Sequence, residues 1–232
     1  KTFRTLTLLA LTSSCFSAAH AVTFDWAIVG DPGNSGEMQP QGTFGSVEYA
    51  YRISTHEVTN AQYTDFLNAV DASGLNPYGI YNDFMATDAR GGITFDGGAG
   101  VGSKYSAKVN MDNKPVNFVS FFDAMRFVNW LKNGQPGGGS GTEVGVYTIG
   151  DGASETRAAE ANFFLPSEDE WYKAAYYDPR SEIDGGPPGD DNYWLYPTGS
   201  DTAPAAANSN AIGDISNPGA NVANYLSGAT WN

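Results

Sequence analysis

Side chains that bind metals or act as nucleophiles are scarce in this sequence of 232 residues. Cys15 is its only cysteine, and His20 and His56 are its only histidines. A zinc protease needs two histidines on one helix face, and a mononuclear iron centre with histidine ligands needs several imidazoles. The sequence therefore offers neither kind of metal site. A Ser-His-Asp triad would depend on His56, which lies beside Glu57 at the end of a predicted strand. We therefore interpret His56 as a partly exposed polar residue.

Three consecutive carboxylates are the next candidates for chemistry. Glu168, Asp169 and Glu170 fall in the first turn of a predicted helix. Negative charge there stabilises the positive end of the helix dipole, which is sufficient to explain them. A general acid–base pair stays open as the alternative, although no partner for one is evident in the sequence.

Aromatic side chains could also form a site, because the sequence contains 5 Trp and 13 Tyr residues. They could line a groove for a sugar or a peptide, but such residues more often form the core. Trp130 and Trp171 lie on predicted helices and are predicted to be buried. Tyr193, Trp194 and Tyr196 follow a loop rich in Gly, Pro and Asp, and are the better candidates for an exposed surface.

Three helices are predicted to hold these residues in place. The first has Thr59 as its N-cap and Gln62 three residues later, the pattern of a capping box. The second starts at Ser120, and the third repeats the capping box with Ser167 and Glu170. Apolar residues recur at helical spacing along the first two helices. They are Tyr63, Phe66, Leu67 and Val70 in the first, and Ala124, Phe127, Val128 and Leu131 in the second.

Strands are predicted at residues 23–29 and 46–54, with a weaker candidate at 142–149. Glycine-rich stretches separate these elements and are predicted to be surface loops without helix or strand. They span residues 91–102, 134–141 and 184–191, and the first includes a run of glycines that does not match a phosphate-binding loop. A few strands, three short helices and long connections favour one irregular, loop-rich α+β domain over residues 22–232.

The N-terminus has the pattern of an export signal. Lys1 and Arg4 form a short basic region, an apolar run follows, and Ala19-His20-Ala21 matches the A-x-A cleavage pattern. The apolar run is too short to span a membrane comfortably. We expect residues 1–21 to be a signal peptide, the mature chain to begin at Val22, and the protein to be secreted, periplasmic or in the cell envelope.

Cleavage would change the charge and the inventory of ligands. The formal charge of −14 would become −16 through loss of Lys1 and Arg4, and Cys15 and His20 would also be removed. Such an acidic protein is not expected to bind nucleic acid. The mature part would contain no membrane span. Its carboxylates suit a hard cation such as calcium, although a solvated acidic surface is the favoured explanation for them.

Several segments, taken in order, carry a resemblance to a known family. Leu165-Pro166-Ser167-Glu168-Asp169-Glu170-Trp171 matches the signature LP-T/S-E-x-E-W, and residues 196–199 resemble a YPWG turn with Thr198 in the Trp place. Residues 24–30, 57–63 and 114–124 precede them, and Ala223-Asn224 resembles a later AN step. This order is similar to that of the formylglycine-generating enzyme, or sulfatase-modifying factor, family, and it covers nearly all of residues 22–232.

The resemblance implies a compact, irregular α+β fold with a C-type-lectin-like core. It also implies that Asn224 corresponds to a calcium ligand of the family enzymes. Their GN-x-W-E-W and R-GG-S segments and the two cysteines that bind copper would follow the AN step. The chain contains neither segment, so the resemblance implies a domain that is incomplete at its C-terminus.

Two functions remain open on this basis. The favoured one is an exported, non-catalytic binding or cell-envelope protein that recognises a protein or a glycan. The alternative is an oxidase that converts a sulfatase cysteine to formylglycine and whose catalytic part is missing from this chain. We predict no copper site and no catalytic residue in this chain, because it would have no mature thiolate.

Overall fold

The computed structural model describes residues 21–152, 155–210 and 213–225. The predicted signal peptide and cleavage pattern therefore lie almost entirely outside the described residues. Four α-helices occur within them: α1 (Asn60–Val70), α2 (Phe84–Thr87), α3 (Phe121–Lys132) and α4 (Glu168–Tyr176). The strands are β1 (Trp26–Val29), β2 (Glu37–Gln39), β3 (Gly42–Phe44), β4 (Tyr51–Ser54), β5 (Ile93–Phe95), β6 (Tyr105–Ala107), β7 (Ala205–Ala206) and β8 (Val222–Ala223).

The strands form small sheets of two strands each, joined by long irregular segments. Three pairs are antiparallel, β1 with β4, β2 with β3 and β5 with β6, whereas β7 and β8 are parallel. In the first pair Trp26 lies opposite Ser54, and Val29 lies opposite Tyr51. Helices and short strands mixed in this way confirm the α+β class. Within the described residues, no helix combines the length and apolar composition needed to cross a membrane.

Each of the three predicted helices begins at the expected cap. The Thr59 side chain caps α1 and the Ser167 side chain caps α4, and in both cases the side chain three residues later completes the box. Ser120 and Asp123 form a third capping box at α3. These boxes satisfy amide groups that would otherwise lack partners in the first helical turn.

Helices α1 and α3 supply an aromatic core. Phe66 is fully buried, and its ring lies 5.3 Å from the rings of Tyr63, Phe127 and Trp130, measured between centroids. Trp130 donates a hydrogen bond from its indole nitrogen to the Pro136 carbonyl at 3.0 Å. The predicted burial of Trp130 is therefore confirmed, and its polar tip finds a local partner.

The strand predictions were too long. Only Trp26–Val29 and Tyr51–Ser54 are extended within the predicted segments 23–29 and 46–54. The third candidate at 142–149 forms no strand. There the Asn129 amide donates to the carbonyls of Thr142 and Tyr147 and accepts from the Tyr147 amide. A side chain thus occupies backbone groups that a neighbouring strand would otherwise have paired.

The glycine-rich stretches contain more structure than predicted. Strand β5 lies inside residues 91–102, and Ile93 of β5 is fully buried. This strand forms because it pairs with β6, which lies outside the glycine-rich stretch. A 3-10 turn, Gly139–Gly141, lies inside the second stretch. The prediction that these segments hold neither helix nor strand was therefore wrong for the first two stretches, whereas residues 185–191 of the third form neither.

Two predictions about aromatic burial were also wrong. Trp171 is 52% exposed, because α4 turns Glu170 and Lys173 inward and directs Trp171 away from the same face. Tyr193 is buried, with its ring between Tyr172 and Tyr177. The Tyr193 hydroxyl donates toward the carbonyl of Gly45, which is 148 positions earlier in the chain. This long-range contact leaves no local trace in the sequence.

Candidate binding cleft

An apolar cavity of about 210 Å³ lies along β4, between that strand and helix α3. Tyr51, Arg52, Ile53 and Ser54 all line it, as do residues 162–166 of an irregular segment. Most of the remaining wall is aliphatic or aromatic, including Phe24, Val58, Val119, Phe127, Val128 and Leu131. Helix α3, Tyr63 of α1, strand β4 and an irregular segment therefore converge on one apolar space.

A second, more polar space of about 490 Å³ adjoins the first. The two share Trp26, Tyr51, Arg52, Asn162, Phe163 and Phe164 as wall residues. Because the shared residues border both spaces, we treat the two spaces as one cleft with an apolar end and a polar end. Tyr49 and Arg157 belong to the polar end alone.

Arg52 stands where the two ends of the cleft meet. Its position on β4 is opposite Ile28 of β1, and its guanidinium carbon lies 5.8 Å from the centre of the Trp26 ring. This distance places the cation over the aromatic face, where the ring quadrupole attracts it. The Arg52 guanidinium makes no hydrogen bond and no ion pair with any described residue.

Arg157, in contrast, is held firmly in the wall. Its Nη1 donates to both carboxylate oxygens of Glu170 at 2.9 Å, and its Nη2 donates to the Tyr49 hydroxyl at 2.9 Å. The guanidinium also stacks 4.1 Å from the centre of the Phe164 ring. Burial lowers the pKa of Arg157, but its bonds to Glu170 and Tyr49 outweigh this effect and raise it.

Glu170 is the buried anchor of this network. Burial opposes its ionisation, yet hydrogen bonds from Tyr49, the Ser167 amide and Arg157 together lower its pKa. The Tyr49 hydroxyl donates to Glu170 at 2.5 Å, and that bond is the main reason why the Tyr49 pKa is raised. Glu170 is therefore ionised and Tyr49 protonated at neutral pH. Neither titrates near the pH at which a general acid–base pair works, and the network positions Arg157.

The other two carboxylates of the α4 first turn have separate roles. Asp169 accepts a hydrogen bond from the Gly45 amide at 2.8 Å, and Glu168 is exposed. Their placement agrees with the structural interpretation of this turn, in which they lie near the positive end of the helix dipole.

His56 and Asn224 lie outside the cleft. His56 is exposed, and its Nδ1 lies 3.1 Å from the Thr55 hydroxyl in a separate polar hollow that includes Asp25 and Glu57. Asn224 is exposed just after β8. Within the residues that the structure describes, no three His, Cys, Asp or Glu side chains come together to hold a metal ion. Calcium binding at Asn224 stays a prediction.

Sequence reasoning missed both arginines of the cleft. Arg52 lies within the strand predicted at residues 46–54, where nothing marked it as a site residue, and Arg157 lies in a segment with no predicted element. The signal that could have found Arg157 is the buried position of Glu170 on α4, since a buried carboxylate requires a cationic or hydrogen-bonding partner.

Comparison with known proteins identifies the family. Residues 32–225 match the sulfatase-modifying factor enzyme 1-like domain, and this chain belongs to that family. The matched region includes β4 and α3, which line the cleft, and α4, whose Glu170 holds Arg157 in the cleft wall. Searches of curated proteins and of solved structures found no match.

Proposed function

We propose that this chain is an exported member of the sulfatase-modifying factor family that binds a ligand without catalysing a reaction. The open cleft beside β4 is the observation that supports this function. Ligand sites are typically concave and mostly apolar, with a few polar groups that fix orientation. This cleft has such a character, because its apolar cavity meets Arg52 and its polar end contains Arg157.

The chemistry of the cleft favours binding over turnover. The conversion of a cysteine to formylglycine by the family's oxidases depends on thiolate ligands for copper, and Cys15 is the only cysteine of this sequence. Glu170, Tyr49 and Arg157 bond to one another, so their polar atoms are used in holding the wall. A fold shared with oxidases does not by itself confer their activity.

Three further properties belong to the same proposal. The protein is secreted, periplasmic or in the cell envelope after cleavage of residues 1–21, because that segment has the pattern of a signal peptide. The core is C-type-lectin-like, as the family resemblance implies. Calcium is the favoured ion, with Asn224 as one ligand, because oxygen donors of this kind suit that ion, and we expect its binding to be weak or absent.

A thermal-shift screen of small molecules tests the binding role. Compounds that occupy the cleft should raise the melting temperature of the full chain, since a ligand that binds only the folded state stabilises it. Ala124→Leu places extra carbon atoms in the apolar cavity and should abolish these shifts. Ala175→Leu, on α4 and outside the cleft wall, is the matched control. The binding role would be contradicted if no compound raised the melting temperature of the wild type, or if every shift persisted in Ala124→Leu.

A second assay separates binding from catalysis. The protein is incubated with a peptide carrying the sulfatase cysteine motif, copper and oxygen, and the peptide mass is followed. We expect no conversion above a heat-denatured control. Conversion that depends on folded protein would instead support the oxidase.

The site of signal-peptide cleavage has a separate test. N-terminal sequencing of the exported protein should show that it begins at Val22, and retention of Lys1 would contradict cleavage after Ala21.

A further inference from the structure

The charge of the cleft differs from the charge of the whole molecule. The sequence has 26 acidic residues and 12 basic ones, which favours carboxylates at any surface chosen at random. Yet the described residues that line the cleft include Arg52 and Arg157 and no Asp or Glu. The cleft is therefore a locally positive site in an acidic protein.

Only one of the two arginines lacks a carboxylate partner among the described residues. Arg157 is neutralised by Glu170, which sits behind the cleft wall. Arg52 has no carboxylate partner among the described residues, whereas the other described arginines have one. Those pairs are Arg90 with Asp88, Arg126 with Glu143, Arg157 with Glu170, and Arg180 with Asp178. The junction between the two ends of the cleft thus has a net positive charge that matches a single anionic group.

The apolar end sets the size of the ligand. A dry cavity of about 150 Å³ lined by apolar side chains accepts benzene, a molecule of six carbons. The cavity here is about 210 Å³ and has aliphatic and aromatic walls. It accordingly has room for an apolar group of roughly six to eight carbons, scaled from that comparison.

We propose that the cleft binds a small amphipathic carboxylate, with its apolar group in the cavity and its carboxylate against Arg52. This inference rests on the proposed binding function and names the ligand class. A neutral amphiphile would leave Arg52 without an anionic partner. A polyanion would bring more negative charge than Arg52 can balance, and the acidic protein would repel it.

The contribution of Arg52 follows from its exposure. Arg52 is exposed, and ion pairs between exposed side chains contribute about 1 kcal/mol or less. Loss of the guanidinium should therefore weaken carboxylate binding by about fivefold at low salt. The effect should shrink at about 1 M salt, where the Debye length is only about 3 Å. Most of the affinity comes from the apolar group, because burial of apolar surface is the dominant favourable contribution to such binding.

Sodium octanoate and octan-1-ol are the probes, titrated into the full chain by calorimetry. They share an eight-carbon chain length and differ in the charge of the head group. Arg52→Gln removes the guanidinium and keeps a polar side chain. Arg180→Gln removes the same charge outside the cleft and is the matched control. Ala124→Leu fills the cavity, and Val119→Leu is a second filling variant if the first does not fold.

We expect octanoate to bind about fivefold more tightly than octanol, and Arg52→Gln to remove that advantage. Arg180→Gln should leave both affinities unchanged, and the filling variants should weaken both. If octanol binds as tightly as octanoate and Arg52→Gln has no effect, the cleft binds ligands but the carboxylate assignment is overturned. If neither probe binds and the small-molecule screen also finds no cleft ligand, the inference and the proposed function both fall.

Discussion

Replacing Glu170 with Gln removes a buried negative charge while keeping the size of the side chain. The Glu170 side chain is 1% exposed and that of its partner Arg157 is 30% exposed. Breaking a fully buried ion pair costs about 3–5 kcal/mol, whereas an exposed pair contributes about 1 kcal/mol or less. Because Arg157 retains some contact with water and the Gln oxygen still accepts hydrogen bonds, we expect Glu170→Gln to cost about 2 kcal/mol.

Urea unfolding measures this loss, and Glu168→Gln is the matched control. Glu168 lies in the same helical turn and is exposed, so its replacement loses only an interaction with the helix dipole of about 0.3–1 kcal/mol. For a chain of this length, about 2 kcal/mol lowers the melting temperature by roughly 4–8 °C.

The pH dependence provides a second, independent test of the same reasoning. The folded-state pKa of Glu170 lies below its ordinary value of 4.5, so its contribution to stability is complete above that pH. The contribution is lost as the pH falls through the lowered folded-state pKa. The stability difference between wild type and Glu170→Gln should therefore be constant near neutrality and shrink in acid. Equal losses for Glu170→Gln and Glu168→Gln at neutral pH would refute the reasoning.

Four other changes test the packing, each followed by urea unfolding. Ser167→Ala should cost about 1 kcal/mol through loss of the α4 N-cap. Trp171→Ala should cost about 1 kcal/mol, because Trp171 is half-exposed, and a cost above about 3 kcal/mol would mean that it is buried. Gly92→Ala would place a Cβ 2.2 Å from Nδ2 of the buried Asn60 and should cost about 1–3 kcal/mol. Gly100→Ala meets no atom within 4 Å and should be neutral or stabilise by up to about 1 kcal/mol.

Helix starts could be predicted because their information is local. A capping box needs two side chains three residues apart and the amides between them, so Thr59 and Ser167 are recognisable from a few letters. The period of apolar residues likewise predicted that Phe127 and Leu131 face the core. Both signals depend on geometry within one helix and are independent of what the rest of the chain does.

Strand bounds and aromatic burial depend on partners far away in the sequence. Strand β5 exists because β6 pairs with it, and residues 142–149 fail to form a strand because Asn129 takes their hydrogen bonds. Trp171 was assigned to the core from its helix and its apolar character, but the inward face of α4 is occupied by Glu170 and Lys173. Hydrophobicity alone does not predict that two charged residues, Glu170 and Lys173, will be buried while Trp171 is exposed.

The cleft combines both kinds of information, which explains why only part of it was visible in the sequence. The α4 capping box fixes Glu170 at the start of the helix, and its carboxylate closes the box by accepting from the Ser167 amide at 2.6 Å. The same carboxylate then holds Arg157 against the cleft wall. A local helix signal therefore also positions a cationic group of the candidate site. Arg52 is not held in this way, so its guanidinium keeps donors that a carboxylate entering the cleft can use.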